Sequence, residues 1–185
     1  DKPGCRYTEP PDPIARQQGA EVVISIATAS KPGAGHDWTV AHVWARTAGT
    51  YWLLDELRGR WEITDQLPKV RALMTRWRPS TVLIEDTSNG TALIQHLRRE
   101  ASNIVDVSPS GRGKEERAQA LAVACEAGSV RVPVGAWADA VLDEWVSFGA
   151  GAAHDDRLDA SSMAIERGAG RRLAVVSRTT GIAGL

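Results

Sequence analysis

Two groups of acidic residues in this sequence are placed where a folded α/β protein can present several carboxylates together. Glu85 and Asp86 directly follow an apolar segment that is predicted to be a β-strand. Asp155, Asp156 and Asp159 lie just before or inside the start of a predicted helix. Ligand sites in α/β sheets lie at the carboxyl ends of strands, so Glu85 would project into such a site from a rigid element.

Each acidic group also has a simpler structural interpretation. A solvated strand end followed by an Asn-Gly turn accounts for Glu85 without any function. Asp155 or Asp156 suits a helix N-cap, where the helix dipole favours acidic residues. One cap needs only one carboxylate, however, and Asp156 and Asp159 share a helical face. Like charges in that arrangement repel each other unless a cation lies between them, which favours a metal site.

The chemistry that such carboxylates can support is phosphodiester hydrolysis. Magnesium and manganese ions prefer hard oxygen ligands. Two such ions, about 4 Å apart, hold both the attacking water and the leaving oxygen. Asp37, in the predicted loop after the first strand, is a further candidate, although a turn residue is its simpler interpretation. The candidate metal ligands are therefore Glu85, Asp155, Asp156, Asp159 and Asp37.

Periodicity predicts the elements that would position these acids. Strands are predicted at residues 21–28, 38–45 and 51–57, and their short links favour antiparallel pairing. A helix follows over residues 63–77 and is stopped by Pro79. Further strands are predicted at 81–85, 104–107 and 130–132, and further helices at 89–100, 115–127, 136–148 and 156–167. The class is α/β, with a mixed sheet flanked by helices, and the order matches the ribonuclease H-like fold.

Length and composition restrict the possible functions. The 185 residues suit one domain, expected at 21–167, with an N-terminal arm or linker at 1–20 and a flexible tail at 168–185. No membrane-spanning run or signal peptide is apparent. Cys5 and Cys125 indicate neither a disulfide framework nor a zinc site, and fit a reducing compartment. The net charge of −1 counts mildly against a nucleic-acid partner, although a basic groove can coexist with acidic residues.

Four stretches of the sequence have a specific order and spacing. They are Ser25–Ala29 with Asp37–Val40, Ile84–Asp86 with Asn89–Gly90, Lys114–Ala118 running into Glu126–Val130 and Pro133, and His154–Ala160. With these stretches the chain resembles the C-terminal nuclease domain of terminase large subunits from tailed bacteriophages. The resemblance extends from about residue 21 to residue 166.

The resemblance implies a ribonuclease H-like fold and a magnesium- or manganese-dependent endonuclease with a two-metal site. The implied substrate is double-stranded DNA, cut from concatemers at the start and end of packaging. The implied partners are the terminase ATPase domain, the small terminase subunit and the portal protein, in the cytoplasm of the infected bacterium. No Gly-x-x-x-x-Gly-Lys-Ser/Thr loop occurs, so the ATPase motor is not part of this sequence.

One position departs from the family pattern. The first strand of the family usually carries a metal-binding Asp in a Ser-x-Asp-x-Ala motif. Matching the motif from Ser25 to Ala29 puts Ala27 at the position of that Asp. The loss of a carboxylate that often bridges both ions predicts weak or undetectable cleavage. An inactivating substitution and a natural loss both fit this departure, and a misaligned motif is the alternative.

The resemblance also assigns roles to the candidate residues. Glu85 is the second-strand ligand, and Asp155 or Asp156 is the ligand at the last helix. Asp159 is either a further metal ligand or a residue that supports the ligands, and Asp37 assists the metal site from the loop. The residues expected to contact DNA phosphates are Lys114, Arg117, Arg58 and Arg60. A solvated helix start explains the first two equally well.

Two other functions fit the same features. One is a different ribonuclease H-like nuclease, such as a junction resolvase or a transposase core. The other is a non-catalytic domain that binds DNA or docks on the portal. Most of the seven tryptophans are expected in the core, and Trp61 is the exception that would contact DNA.

Overall fold

The computed structural model describes residues 5–28, 38–108, 114–148 and 155–179. The elements in chain order are β1 (Arg6–Tyr7), α1 (Pro11–Ala15), β2 (Glu21–Ala27), β3 (Thr39–Thr47), β4 (Thr50–Gly59), α2 (Ile63–Trp77), β5 (Thr81–Glu85), α3 (Ser88–Leu97), β6 (Ile104–Val107), α4 (Lys114–Glu126), β7 (Val130–Pro133), α5 (Ala136–Ser147) and α6 (Asp156–Thr179). In this part of the chain, none of the helices has the length and apolar character needed to cross a membrane.

The strands form one mixed sheet in the order β1-β7-β4-β3-β2-β5-β6. β3 pairs antiparallel with both β2 and β4, as the short links predict. The other pairs are parallel, because helices connect the strands from β4 onward and let each one re-enter in the same direction. The predicted mixed sheet, antiparallel in its first part and then parallel, is confirmed.

Side chains alternate between two buried faces of the sheet. One face includes Ile24, Ile26 and Ile84 and packs beneath α2 and α3. On the opposite face, Trp44 and Leu53 pack with apolar residues of α4, α5 and α6. Helix α6 lies across β2 and β3 in the middle of the sheet. The start of α6 is therefore held close to the carboxyl end of β2.

Residues 5–20 differ from the predicted arm or linker. β1 extends the sheet by pairing with β7, and α1 follows it. Tyr7 and Ile14 are buried in the core, and the Tyr7 hydroxyl donates to the backbone carbonyl of Leu53. A strand of two residues and a helix of five are too short for hydrophobic periodicity to reveal them.

The ends of several helices follow the sequence prediction. α2 ends at Trp77, before Pro79. Gly128 follows α4 with a φ of 67°, a left-handed conformation that glycine adopts without strain. At the other end of the chain the prediction is too short, because α6 continues to Thr179 rather than ending at residue 167.

Candidate active site

Ala27 and Glu85 lie at the carboxyl ends of neighbouring parallel strands. Ile26 and Ile84 are paired in register, so Ala27 and Glu85 are the next residues along the two strands. Because Ile26 and Ile84 face α2 and α3, alternation turns Ala27 and Glu85 toward the opposite face. There Ala27 packs against Ala160 of α6. Ala27, where the sequence motif predicts an Asp, is therefore beside Glu85 and beneath the start of α6.

The ends of these two strands are fixed to each other. The hydroxyls of Thr28 and Thr87 are 2.8 Å apart. Asn89 and Gly90 are in the first turn of α3 rather than in a turn of their own. A Cβ at Gly90 would overlap the carbonyl oxygen of Glu85, so only glycine allows α3 to start this close to the strand. This contact positions Glu85 at the end of the sheet where β2 and β5 have their carboxyl ends.

Arg117 of α4 lies between two of the candidate metal ligands. Its Nη1 is 3.5 Å from Oε1 of Glu85, and its Nη2 is 3.0 Å from Oδ1 of Asp159. The three side chains are 15%, 11% and 12% exposed, respectively. The structure thus brings the side chains of Glu85 and Asp159 close to each other. Arg117 contacts both carboxylates, although the sequence analysis expects it to contact DNA phosphates.

Asp155 and Asp156 are at the start of α6. The helix begins at Asp156, and the backbone N–H of Asp159 donates to the carbonyl of Asp155 at 2.9 Å. Asp155 is therefore at the N-cap position, as one of the two simpler interpretations predicts. Asp156 contributes to the electrostatic environment of Arg58 on β4.

Carboxylate oxygens are the ligands that magnesium and manganese prefer, so the chemistry of the donor set fits these ions. Within the described ranges, however, no group of three or more His, Cys, Asp or Glu side chains is arranged to hold a metal ion. The β2 position offers only the methyl group of Ala27, and the guanidinium of Arg117 lies at Glu85 and Asp159. Asp37 and the side chain of Lys114 lie outside the described residues.

Two arginines expected to contact DNA stack on one tryptophan near these acids. The guanidinium carbon of Arg58 is 3.7 Å from the ring centroid of Trp38, and that of Arg60 is 4.3 Å away. Val40 pairs with Ala27 on one side and with Arg58 on the other. The arginine–tryptophan surface, formed by Trp38, Arg58 and Arg60, therefore lies at the same end of the strands as Ala27.

Burial lowers the pKa of Arg58, and the cation of Arg157 lowers it further. Its Nε is buried and has no hydrogen-bond partner in the described part of the chain. Trp61, which was expected to contact DNA, lies against Gly59 so closely that a Cβ there would overlap its ring. The ammonium of Lys69 is 5.3 Å from the ring centroid of Trp61. A positively charged, partly aromatic region therefore adjoins the carboxylates.

A buried polar network lies next to this region, and no motif in the sequence points to it. Nε2 of His42 is 3.0 Å from Oε2 of Glu56, and its Nδ1 is 2.9 Å from Oγ of Ser161. Arg157 donates to both oxygens of Glu56, at 2.8 and 2.9 Å. The backbone N–H of Arg157 donates to Glu144 at 2.7 Å. The network links β3, β4 and α5 to the first turns of α6.

The electrostatics of the network follow from burial and pairing. Burial alone would raise the pKa of Glu56, but hydrogen bonds from His42 and Arg157 outweigh it and lower the pKa to about 2. Burial raises the pKa of Glu144, against the hydrogen bond from the backbone of Arg157. His42 and Glu56 are direct partners on β3 and β4. A histidine within the apolar run of β3 is the sequence signal by which the pair could be found.

The comparison with known proteins identifies relatives of this chain. The model of the terminase RNaseH-like domain family matches residues 27–167. No curated protein matches the chain. The magnesium-bound nuclease of the large terminase from thermophilic phage G20c is 20% identical, with a TM-score of 0.65 over 82% of this chain and 83% of that one.

Two further solved structures are similar. The large terminase nuclease domain of Thermus phage P74-26 is 20% identical, with a TM-score of 0.60 over 80% of this chain and 79% of that chain. The large terminase of another thermophilic bacteriophage is 10% identical, with a TM-score of 0.66 over 90% of this chain. This chain spans only 43% of the length of that terminase.

These identities by themselves show likeness of fold, and the ribonuclease H-like architecture expected from the sequence is confirmed. The family match covers β3 to the first turns of α6 and all of the candidate residues that the structure brings together. The chain belongs to the terminase RNaseH-like domain family.

Proposed function

We propose that this chain is the metal-dependent endonuclease part of a viral DNA-packaging terminase, which cleaves concatemeric duplex DNA by two-metal hydrolysis. We further propose that Ala27 leaves this form with little or no activity. One observation supports both parts most directly: the register of β2 and β5 puts Ala27 beside Glu85, under the helix that carries Asp159. A carboxylate at position 27 would complete a set drawn from two strands and a helix.

The proposed metal ligands are Glu85, Asp155 and Asp156, with Asp159 and Asp37 as further oxygen donors. Mg²⁺ or Mn²⁺ held there would supply an activated water and would relieve negative charge at phosphorus. The nuclease of phage G20c has been solved with bound magnesium, cobalt and zinc, which supports divalent metal binding in this fold.

Duplex DNA is the proposed substrate, with its phosphates held by Arg58, Arg60, Lys114 and Arg117. Stacking on Trp38 orders Arg58 and Arg60, so less conformational freedom is lost when they bind a phosphate. Phosphate contacts are independent of base sequence, and they weaken as salt increases. The partners proposed for the whole protein are the terminase ATPase domain, the small subunit and the portal, in the cytoplasm of the infected bacterium.

The test restores the missing carboxylate. The substitution Ala27→Asp is expected to produce manganese-dependent cleavage of plasmid DNA, while Ala27→Asn, which has nearly the same shape without the charge, stays inactive. If Ala27→Asp shows no cleavage above background, the chain is not a nuclease, and the domain instead binds DNA or the portal without cutting. Robust cleavage by the parent chain would show that Ala27 is not at the ligand position.

A substrate panel separates the proposal from the other nuclease classes. The Ala27→Asp variant is expected to cut linear and supercoiled duplexes at least as well as four-way junctions. A clear preference for four-way junctions would instead indicate a junction resolvase.

A further inference from the structure

We infer that Arg117 is an internal cation that competes with the divalent metal for Glu85 and Asp159, so that metal binding requires its guanidinium to leave them. This inference rests on the proposed function, because it concerns the same carboxylates. It assigns Arg117 a role in the metal-free state besides the DNA contact expected from the sequence.

The first support is the position of the guanidinium. Its two terminal nitrogens are directed to different carboxylates, at 3.5 Å from Glu85 and 3.0 Å from Asp159. Both acids are largely removed from water, and buried carboxylates that lie close together must either be neutralised by a cation or bind protons. The spacing of the acids at the start of α6 favours a cation near Asp159, and in this structure Arg117 supplies one.

The second support is that a metal ion and this guanidinium cannot comfortably share the carboxylates. An ion bound to Oδ1 of Asp159 would lie within about 5 Å of Nη2, because Mg–O bonds are about 2.1 Å long and Nη2 is 3.0 Å from that oxygen. A dication and a guanidinium at that separation repel strongly in a site with little water. Release of Arg117 would relieve that repulsion.

The third support is what the released side chain can do. Nε of Arg117 is buried, and it has no hydrogen-bond partner among the residues that the structure describes. The five N–H donors of a freed guanidinium match the oxygens of a phosphate group. Arg117 would therefore hold the carboxylates before the metal binds and a DNA phosphate afterwards, so that metal loading and substrate contact are coupled through one residue.

The test is a calorimetric titration with MnCl₂ that does not depend on cleavage. Arg117→Met keeps the length of the side chain and removes its charge, and it is expected to bind Mn²⁺ at least ten-fold more tightly than the parent chain. Arg131→Met is the matched control, since Arg131 contacts the backbone carbonyl of Gly128, and its Mn²⁺ affinity should equal that of the parent.

Thermal unfolding supplies a second readout. In EDTA, Arg117→Met is expected to unfold at a lower temperature than the parent, and Mn²⁺ should raise its Tm more than it raises the Tm of the parent. If Arg117→Met does not fold without metal, Arg117→Lys replaces it. The ammonium of lysine cannot contact both carboxylates in the way that the two terminal nitrogens of the guanidinium do. The variant Arg117→Lys should therefore bind Mn²⁺ at least three-fold more tightly than the parent.

The results that would contradict the role of Arg117 differ from those that would contradict the proposed function. If the variants bind Mn²⁺ with the affinity of the parent, Arg117 does not compete and the inference is wrong, while the proposed function is unaffected. If neither the parent, nor Arg117→Met, nor Ala27→Asp binds Mn²⁺, the metal-dependent function is wrong and the inference falls with it.

Discussion

The guanidinium of Arg157 and the carboxylate of Glu56 form a two-point ion pair between residues that are 101 positions apart in the sequence. Nε lies 2.8 Å from Oε2, and Nη2 lies 2.9 Å from Oε1. Both side chains are almost entirely buried. Because Arg157 is in the first turn of α6, this pair anchors the segment that carries Asp156 and Asp159, although neither of its members is a proposed metal ligand.

Removal of one member of this pair should destabilise the whole domain. Arg157→Met removes the guanidinium that contacts both buried carboxylates, Glu56 and Glu144, and the free energy of unfolding should fall by about 3 kcal/mol. Urea denaturation measures the change. The control is Arg71→Met, which breaks the exposed pair with Glu100 and should leave stability unaltered. Equal effects of the two substitutions would mean that the buried network does not anchor α6.

The stability of the domain should depend on the protonation of Glu56. The pKa of Glu56 is lowered from 4.5 to about 2 in the folded protein. Its contribution to stability is therefore fully present above pH 4.5 and is lost as the pH falls through about 2. At pH 6 the variant Glu56→Gln should be less stable than the parent, by up to about 3 kcal/mol.

The difference in stability between the parent and Glu56→Gln should become smaller below pH 4.5 and disappear near pH 2. Chemical denaturation of both chains across this range provides the measurement. A difference that stays constant with pH would show that Glu56 is not held ionised by His42 and Arg157.

The position of Ala27 predicts how a charge there affects stability in the absence of metal. Ala27→Asp buries a second carboxylate near Glu85, and should lower the free energy of unfolding in EDTA by about 2 kcal/mol relative to Ala27→Asn. Mn²⁺ should reduce that difference, because a cation between the carboxylates removes their repulsion. Thermal unfolding with and without Mn²⁺ measures both effects. Equal stability of the two variants in EDTA would place the side chain of residue 27 away from Glu85.

The arginine–tryptophan surface predicts a salt effect on DNA binding. Arg60→Gln should weaken the binding of duplexes of different sequence to the same extent, and should reduce the slope of log affinity against log salt by about 1. Fluorescence anisotropy at several salt concentrations provides the measurement. Arg16→Gln is the control, since this exposed arginine follows α1, pairs with Asp12 and is not part of the proposed DNA surface. If the control lowers the slope as much, binding is not localised at Trp38.

Most elements could be predicted from the sequence because their signals are local. Runs of apolar and β-branched residues define β2, β3 and β4, and Pro79 and Gly128 mark the ends of α2 and α4 within a few residues. β1 and α1 are too short to carry such a pattern, and they are stabilised by distant partners on β7 and β4. Short elements of this kind form only because the rest of the fold offers them a place to pack.

The same distinction between local signals and tertiary contacts applies to the candidate site. The sequence alone determined which carboxylates were available, and that Glu85 ends a strand while Asp156 begins a helix. It also predicted that Ala27 stands at the position where the family pattern has an Asp. Those conclusions depend on residue type and local spacing, which folding does not change.

Only the tertiary structure decided which of these groups meet. The register of β2 and β5 puts Ala27 beside Glu85, and the packing of α4 against α6 brings Arg117 to Asp159. The pairing of Arg157 with Glu56 depends in the same way on α6 crossing the sheet. Each of these contacts joins elements that are far apart in the chain, and their energies come from burial and charge pairing that exist only after the sheet and its helices have assembled.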